Sequence, residues 1–115
     1  MSVKMYHNPK CSKSRATLEL LEGWGIAPEV VEYLKNPPTV EQLKEILAKL
    51  EMKPRDLMRK KEDDYVDLGL DDEALTDDDL IMAMVEHPIL IERPIVLANG
   101  KAALGRPPEK VLEIL

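Results

Sequence analysis

The chain of 115 residues holds a single cysteine, and that scarcity sets the first limits. One thiol forms no internal disulfide, which argues against a disulfide-stapled secreted domain. It also forms no C-x-x-C pair: Ser14 stands where a second cysteine after Cys11 would be. Any oxidised or adducted Cys11 must therefore be resolved by a thiol from outside. Excess positive charge is missing too. A net charge of −6 gives no support for a nucleic-acid or membrane-surface partner. No apolar run is long enough to span a bilayer, and no secretory leader pattern precedes the first motif. Two histidines far apart and one cysteine make a poor metal set, so no metal is expected. The plain expectation is a cytoplasmic protein, where reducing conditions supply the missing thiol.

What remains is a composition 44 % apolar and 33 % charged, which suits one globular domain over residues 1–115. Val3–Tyr6 reads as a first strand. A helix with Leu18 and Leu21 follows to about Glu22, with Ser12 or Ser14 as its cap, and Gly23 and Gly25 end it. Glu29–Tyr33 is the second strand, giving a β-α-β unit and hence a parallel pair. Asn36-Pro37-Pro38 then breaks the pattern. Thr39 with Gln42 forms a capping box ahead of the stripe Leu43, Ile46, Leu47 and Leu50. A second helix starts at Thr76 behind Asp77, Asp78 and Asp79. Residues from about 37 to 88 are thus a mostly helical insertion. Strand character returns at Pro94–Ala98 and Lys101–Leu104, and Asn99-Gly100 between them signals a type I′ hairpin. A terminal helix carries Val111, Leu112 and Leu115. The expected class is α/β: a mixed, thioredoxin-like sheet built as β-α-β, helical insertion, then β-β-α.

Cys11 falls in the turn between the first strand and the helix N-terminus. Unpaired backbone N–H groups at that position stabilise an anion, either a thiolate or a bound oxyanion. His7 lies close before it as a hydrogen-bond donor or proton shuttle for the thiol, with a structural role the competing reading. His87, before Pro88, reads as structural. Asn8, Ser12 and Ser14 are candidates for positioning the loop or binding an oxyanion oxygen. Arg59, Arg93 and Arg106 each sit beside an element boundary, and guanidinium forks suit a tetrahedral oxyanion. A cis bond at Arg93-Pro94 would turn Arg93 toward the Cys11 loop.

Taken together, the segments Tyr6-His7-Asn8-Pro9 with Cys11, Ser14-Arg15, Tyr33-Leu34, Asn36-Pro37-Pro38-Thr39, Leu57-Met58-Arg59-Lys60, Leu68-Gly69-Leu70, His87–Ile91, Arg93-Pro94-Ile95-Val96 and Gly105-Arg106-Pro107 resemble the glutaredoxin-coupled arsenate reductases, in order along nearly the whole chain. The resemblance implies a thioredoxin fold and attack of Cys11 on arsenate to give a thiol–arsenate adduct. It implies that Arg59, Arg93 and Arg106 bind the oxyanion and that His7 influences the ionisation of Cys11. It places Arg15 and Pro94 with Asn8, Ser12 and Ser14 in positioning the loop. Glutathione would serve as co-substrate, with no tightly bound cofactor, and glutaredoxin as protein partner, in arsenic detoxification. Gly105 departs from members that carry a cysteine there. Two alternatives stay open: a thiol-dependent reductase of another substrate, and a non-catalytic regulator like the related Spx-type proteins, against whose redox-switch form Ser14 argues.

Overall fold

A computed structural model describes residues 2–115. The chain forms two compact units, one comprising the chain up to Asn36 with Arg93–Leu115, the other Pro37–Glu92.

The first unit is built on four strands: β1 (Val3–His7), β2 (Glu29–Glu32), β3 (Ile95–Ala98) and β4 (Lys101–Leu104), in the spatial order β2-β1-β3-β4. β1 pairs parallel with β2 and antiparallel with β3, and β3 pairs antiparallel with β4. This is the mixed, thioredoxin-like topology expected from β-α-β followed by β-β. Register follows the apolar alternation of β1. Val3 opposes Ala98 and Met5 opposes Val96, and these four join Leu21, Val111 and Ile114 in one buried cluster. Lys4 and Tyr6 project from the other face, where the ammonium of Lys4 lies 5.4 Å from the Tyr6 ring centre. Asn99 and Gly100 both take positive φ, 54° and 73°, as a type I′ turn requires.

Helix α1 (Ser12–Gly23) connects the parallel strands and buries Ser14, Thr17 and Leu21. Neither Ser12 nor Ser14 caps it. The N-cap residue is Cys11, and no side chain caps the helix. This leaves its first N–H groups unclaimed by a cap and available to the thiol. The final segment, Pro108–Ile114, is a 3-10 helix rather than an α-helix, and it packs on α1 and β4.

The second unit is helical: α2 (Val40–Leu50), α3 (Pro54–Leu57), α4 (Asp63–Asp67) and α5 (Asp77–Glu86), then a 3-10 turn at Pro88–Leu90. Both expected helix starts form complete capping boxes, Thr39 with Gln42 and Thr76 with Asp79. Leu43, Ile46 and Leu47 of α2 are buried with Leu80, Ile81 and Met84 of α5. The unit runs to Glu92 rather than to about residue 88. Met58 and Ile91 form an isolated bridge, and the Glu92 N–H donates to the Leu57 carbonyl at 2.9 Å, which ties the last residues back to α3. Among the described residues, no helix is long and apolar enough to cross a membrane.

Candidate active site

The chain leaves β1 at His7 and turns sharply into α1. The Cys11 N–H donates to the Asn8 carbonyl at 3.0 Å, closing the turn, and the Arg15 N–H donates to the Cys11 carbonyl at 3.0 Å, opening the helix. Inside the turn, the Asn8 side-chain oxygen accepts from the Lys10 N–H at 3.0 Å. Arg15 donates from Nη1 to the Pro9 carbonyl at 3.0 Å, so it braces the turn from outside. Asn8 is buried, which fits a residue that holds a loop rather than one that meets solvent. Ser12 is exposed on the first turn of α1.

Cys11 is half-buried at the mouth of this turn. Burial alone would push its thiol up. Hydrogen bonds from the Arg93 guanidinium and from the Ser14 and Lys13 N–H groups, with the Arg93 charge, outweigh burial and bring the pKa below its ordinary value. The arrangement is thus an electropositive cradle for sulfur, made of one guanidinium and the start of one helix.

Arg93 reaches the sulfur from the entry to β3. The Arg93-Pro94 bond is cis, and so is Arg106-Pro107 at the exit of β4. Arg106 is exposed and donates from Nη1 to the Arg93 carbonyl at 3.0 Å. The Gly105 N–H donates to the Pro94 carbonyl at 3.0 Å, locking the two ends of the hairpin together. Gly105 is needed there for space. A Cβ at this position would overlap the Thr17 hydroxyl and lie 2.6 Å from Pro94 Cγ. A larger side chain at this position has no room beside Thr17 and Pro94.

His7 is buried at the end of β1, its Nδ1 2.6 Å from the Ser14 hydroxyl. Burial lowers its pKa; the Glu32 carboxylate pulls it back up, and the Arg15 charge lowers it further. A cleft of about 330 Å³ opens beside this ring, between Pro9 and Lys10 on one side and Glu32, Leu34 and Lys35 on the other.

Arg59 belongs to the helical unit. Its guanidinium is held by two carboxylates, with Nε 3.1 Å from Glu62 and Nη1 2.8 Å from Glu92. Burial opposes its charge, but these partners raise its pKa. No local rule points to the second carboxylate, since Glu92 lies 33 positions from Arg59 in sequence. In the same unit Arg55 donates to the Tyr65 hydroxyl and to the Leu70 and Asp72 carbonyls at 2.9, 2.6 and 2.9 Å, pinning the turn after α4. His87 lies 3.5 Å from Asp64 there. Among the described residues, no group of three or more His, Cys, Asp or Glu side chains is placed to hold a metal.

The sequence pattern of the ArsC family matches residues 6–114. Protein YfgD of Escherichia coli K12, described as uncharacterized, is 57 % identical over 98 % of this chain and 96 % of its own length. A protein named arsenate reductase from Neisseria meningitidis serogroup A is 55 % identical over 98 % of this chain and 97 % of its own. The solved structure of an arsenate reductase from Vibrio cholerae superposes with a TM-score of 0.97 at 59 % identity, covering 100 % of this chain and 98 % of that one.

Proposed function

The chain belongs to the ArsC family, and from that premise we propose that it reduces arsenate to arsenite, with Cys11 as nucleophile and glutathione and glutaredoxin as the source of reducing equivalents. The observation that carries this reading is the set of hydrogen bonds aimed at one sulfur: Arg93 from the β3 entry, and the Lys13 and Ser14 N–H groups from the start of α1. A lowered thiol pKa means more thiolate at neutral pH, which is the form that attacks.

Arsenate is an anion, and so is the thiolate. Their approach is disfavoured unless local positive charge offsets the repulsion. Arg93 touches the sulfur and neighbours any oxyanion that approaches it, while Arg106 is anchored to the Arg93 backbone. Guanidinium groups here would bind the oxygens and spread the charge that builds during attack. We assign Arg59 the same oxyanion-binding role, and Asn8, Ser12, Ser14, Arg15 and Pro94 the role of holding the loop.

Sulfur bonds to arsenic as one oxygen leaves as water. Reduction of As(V) to As(III) takes two electrons, supplied when two thiols become one disulfide. Cys11 is the chain's single thiol and it holds the arsenic, so the reducing thiols come from outside. Glutathione attacks the thiol–arsenate adduct, glutaredoxin removes the glutathione as a mixed disulfide, and arsenite leaves as water replaces the Cys11 sulfur. A pool of reduced glutathione carries a cytoplasmic setting with it. The helical unit is, in this reading, an insertion within one thioredoxin-like domain.

The test is arsenate-dependent NADPH oxidation coupled through glutathione, glutaredoxin and glutathione reductase, with wild type and Cys11→Ser. Turnover by wild type alone supports the reading, and its loss on omitting glutaredoxin supports the partner. No turnover by folded, reduced wild type overturns it, and points to another oxyanion or to a regulatory protein of the same fold.

A further inference from the structure

We propose that Ser14 is a positioning residue for Cys11, its hydroxyl donating to Nδ1 of His7 and holding that imidazole neutral as the Nε2–H tautomer while its own backbone N–H supports the sulfur. His7 then acts as a fixed anchor for the loop, not as a cation beside the thiolate.

The argument is a count of protons at one buried oxygen. Ser14 is fully buried. Its hydroxyl meets two groups: the Asn8 N–H, 3.1 Å away, and His7 Nδ1, 2.6 Å away. A backbone N–H only donates, so Oγ is the acceptor in the first contact. The single hydroxyl proton is left for the second, and Nδ1 must then carry a lone pair. In the opposite arrangement, Nδ1–H and the Asn8 N–H would both donate to Oγ. The Ser14 proton would then face no acceptor, in a place closed to water, and an unmade buried hydrogen bond is costly. The imidazolium is excluded by the same count, since both of its nitrogens donate. Of the charges that bear on His7, Glu32 favours the cation and Arg15 opposes it, and burial sides with Arg15.

Ser14 thus joins three parts of the site. Its side chain ties down His7 and Asn8, the last residue of β1 and the first of the turn. Its backbone N–H reaches Cys11 from the first turn of α1. Removing the hydroxyl leaves that N–H in the chain but frees the turn that aims it. The inference does not depend on arsenate being the substrate, because neither readout below uses turnover.

The first measurement is a long-range ¹H–¹⁵N correlation spectrum of histidine-labelled wild type at neutral pH. His7 is expected as neutral Nε2–H; an Nδ1–H or imidazolium pattern overturns the proposal. The second is the rate of Cys11 alkylation by iodoacetamide across pH. In folded Ser14→Ala the profile should move to higher pH, with a rate at neutral pH about three- to tenfold lower, as expected for one lost hydrogen bond. His7 should lose its tautomer preference in the same variant, and Ser14→Thr, which keeps a hydroxyl, should restore both where it folds. An unchanged profile and tautomer in folded Ser14→Ala overturns the proposal. If Ser14→Ala does not fold, the wild-type spectrum decides.

Discussion

Arg106 donates from its guanidinium to the backbone carbonyl of Arg93 at 3.0 Å, while the guanidinium of Arg93 hydrogen-bonds the Cys11 sulfur. The two residues flank opposite ends of one hairpin, β3 and β4, thirteen positions apart in sequence. Each is followed by a proline in cis linkage. An exposed arginine therefore supports, through backbone, the arginine that meets the thiol.

Replacing Arg93 with alanine removes a charge-assisted hydrogen bond and a positive charge from the sulfur. The thiol pKa should rise, so the acidic limb of the pH–rate profile should move to higher pH. Loss of one such hydrogen bond predicts a fall in kcat/KM of about 10- to 100-fold. Arg93→Lys should recover part of the thiolate but not the forked contact. Thiolate absorbance against pH, read beside steady-state kinetics, checks both parts.

Arg106→Ala should leave the fold nearly intact, since a single exposed hydrogen bond contributes about 1 kcal/mol or less. Its effect should appear in kinetics, as a higher KM for arsenate with a smaller change in kcat. A denaturant midpoint close to wild type, measured with the kinetics, separates this from general destabilisation.

Gly105→Ala tests the tight approach behind the site. The added Cβ meets Thr17 and Pro94, which are buried and belong to a helix and to the start of a strand. Overpacking of this kind typically costs about 1–3 kcal/mol. Urea unfolding should show that loss, and trimming Thr17 to alanine in the same chain should recover part of it. Equal midpoints for wild type and Gly105→Ala would mean that the loop shifts freely.

These features were unequally legible in the sequence. Strand β1, the hairpin at Asn99-Gly100, the capping box at Thr39 and the helix start at Thr76 follow local rules that turn and cap chemistry enforce, so they could be read directly. The inward face of α1 could not. Apolar spacing pointed to Leu18 and Leu21, whereas the buried positions are Ser14, Thr17 and Leu21. Two of those are polar because their hydroxyls are satisfied locally, Thr17 by donating to the Lys13 carbonyl at 2.8 Å and Ser14 through His7 and Asn8. A pattern search scores such residues as solvent-facing. The cap on α1 departs from expectation for a related reason: a serine at position 12 or 14 is a good cap by type, but the helix already begins at Ser12, and its amides serve sulfur. The carboxylates on Arg59 come from Glu62 and Glu92, and the second is 33 positions away, beyond any local rule.

Arg59 and Glu92 should show a measurable coupling in a double-mutant cycle. The pair is 2.8 Å apart, and each side chain is only about a quarter exposed, at 22 % and 24 %. An interaction of about 1 kcal/mol is expected, at the upper end for pairs that keep some solvent. Glu92→Gln should weaken the hold on Arg59 more than Glu62→Gln, whose contact is longer at 3.1 Å. Chemical unfolding of the two single variants and the double variant gives the coupling, and strict additivity would reduce the pair to a surface contact.

His7 links the site to the pH dependence of folding. Its pKa in the folded chain lies below the ordinary 6.5, chiefly through burial. The unfolded chain therefore takes up a proton here at a pH where the folded chain does not. The stability that neutral His7 contributes is complete above 6.5 and drains away as pH falls from there through the folded value. Carboxylates titrate over part of the same range, so the informative quantity is a difference. Wild-type and His7→Gln unfolding free energies should be compared across that range. Glutamine takes no proton, so its deficit relative to wild type should be largest above 6.5 and should shrink at lower pH. A constant difference across the range would mean that His7 binds its proton equally in both states, and that the Ser14 hydroxyl does not keep Nδ1 as an acceptor.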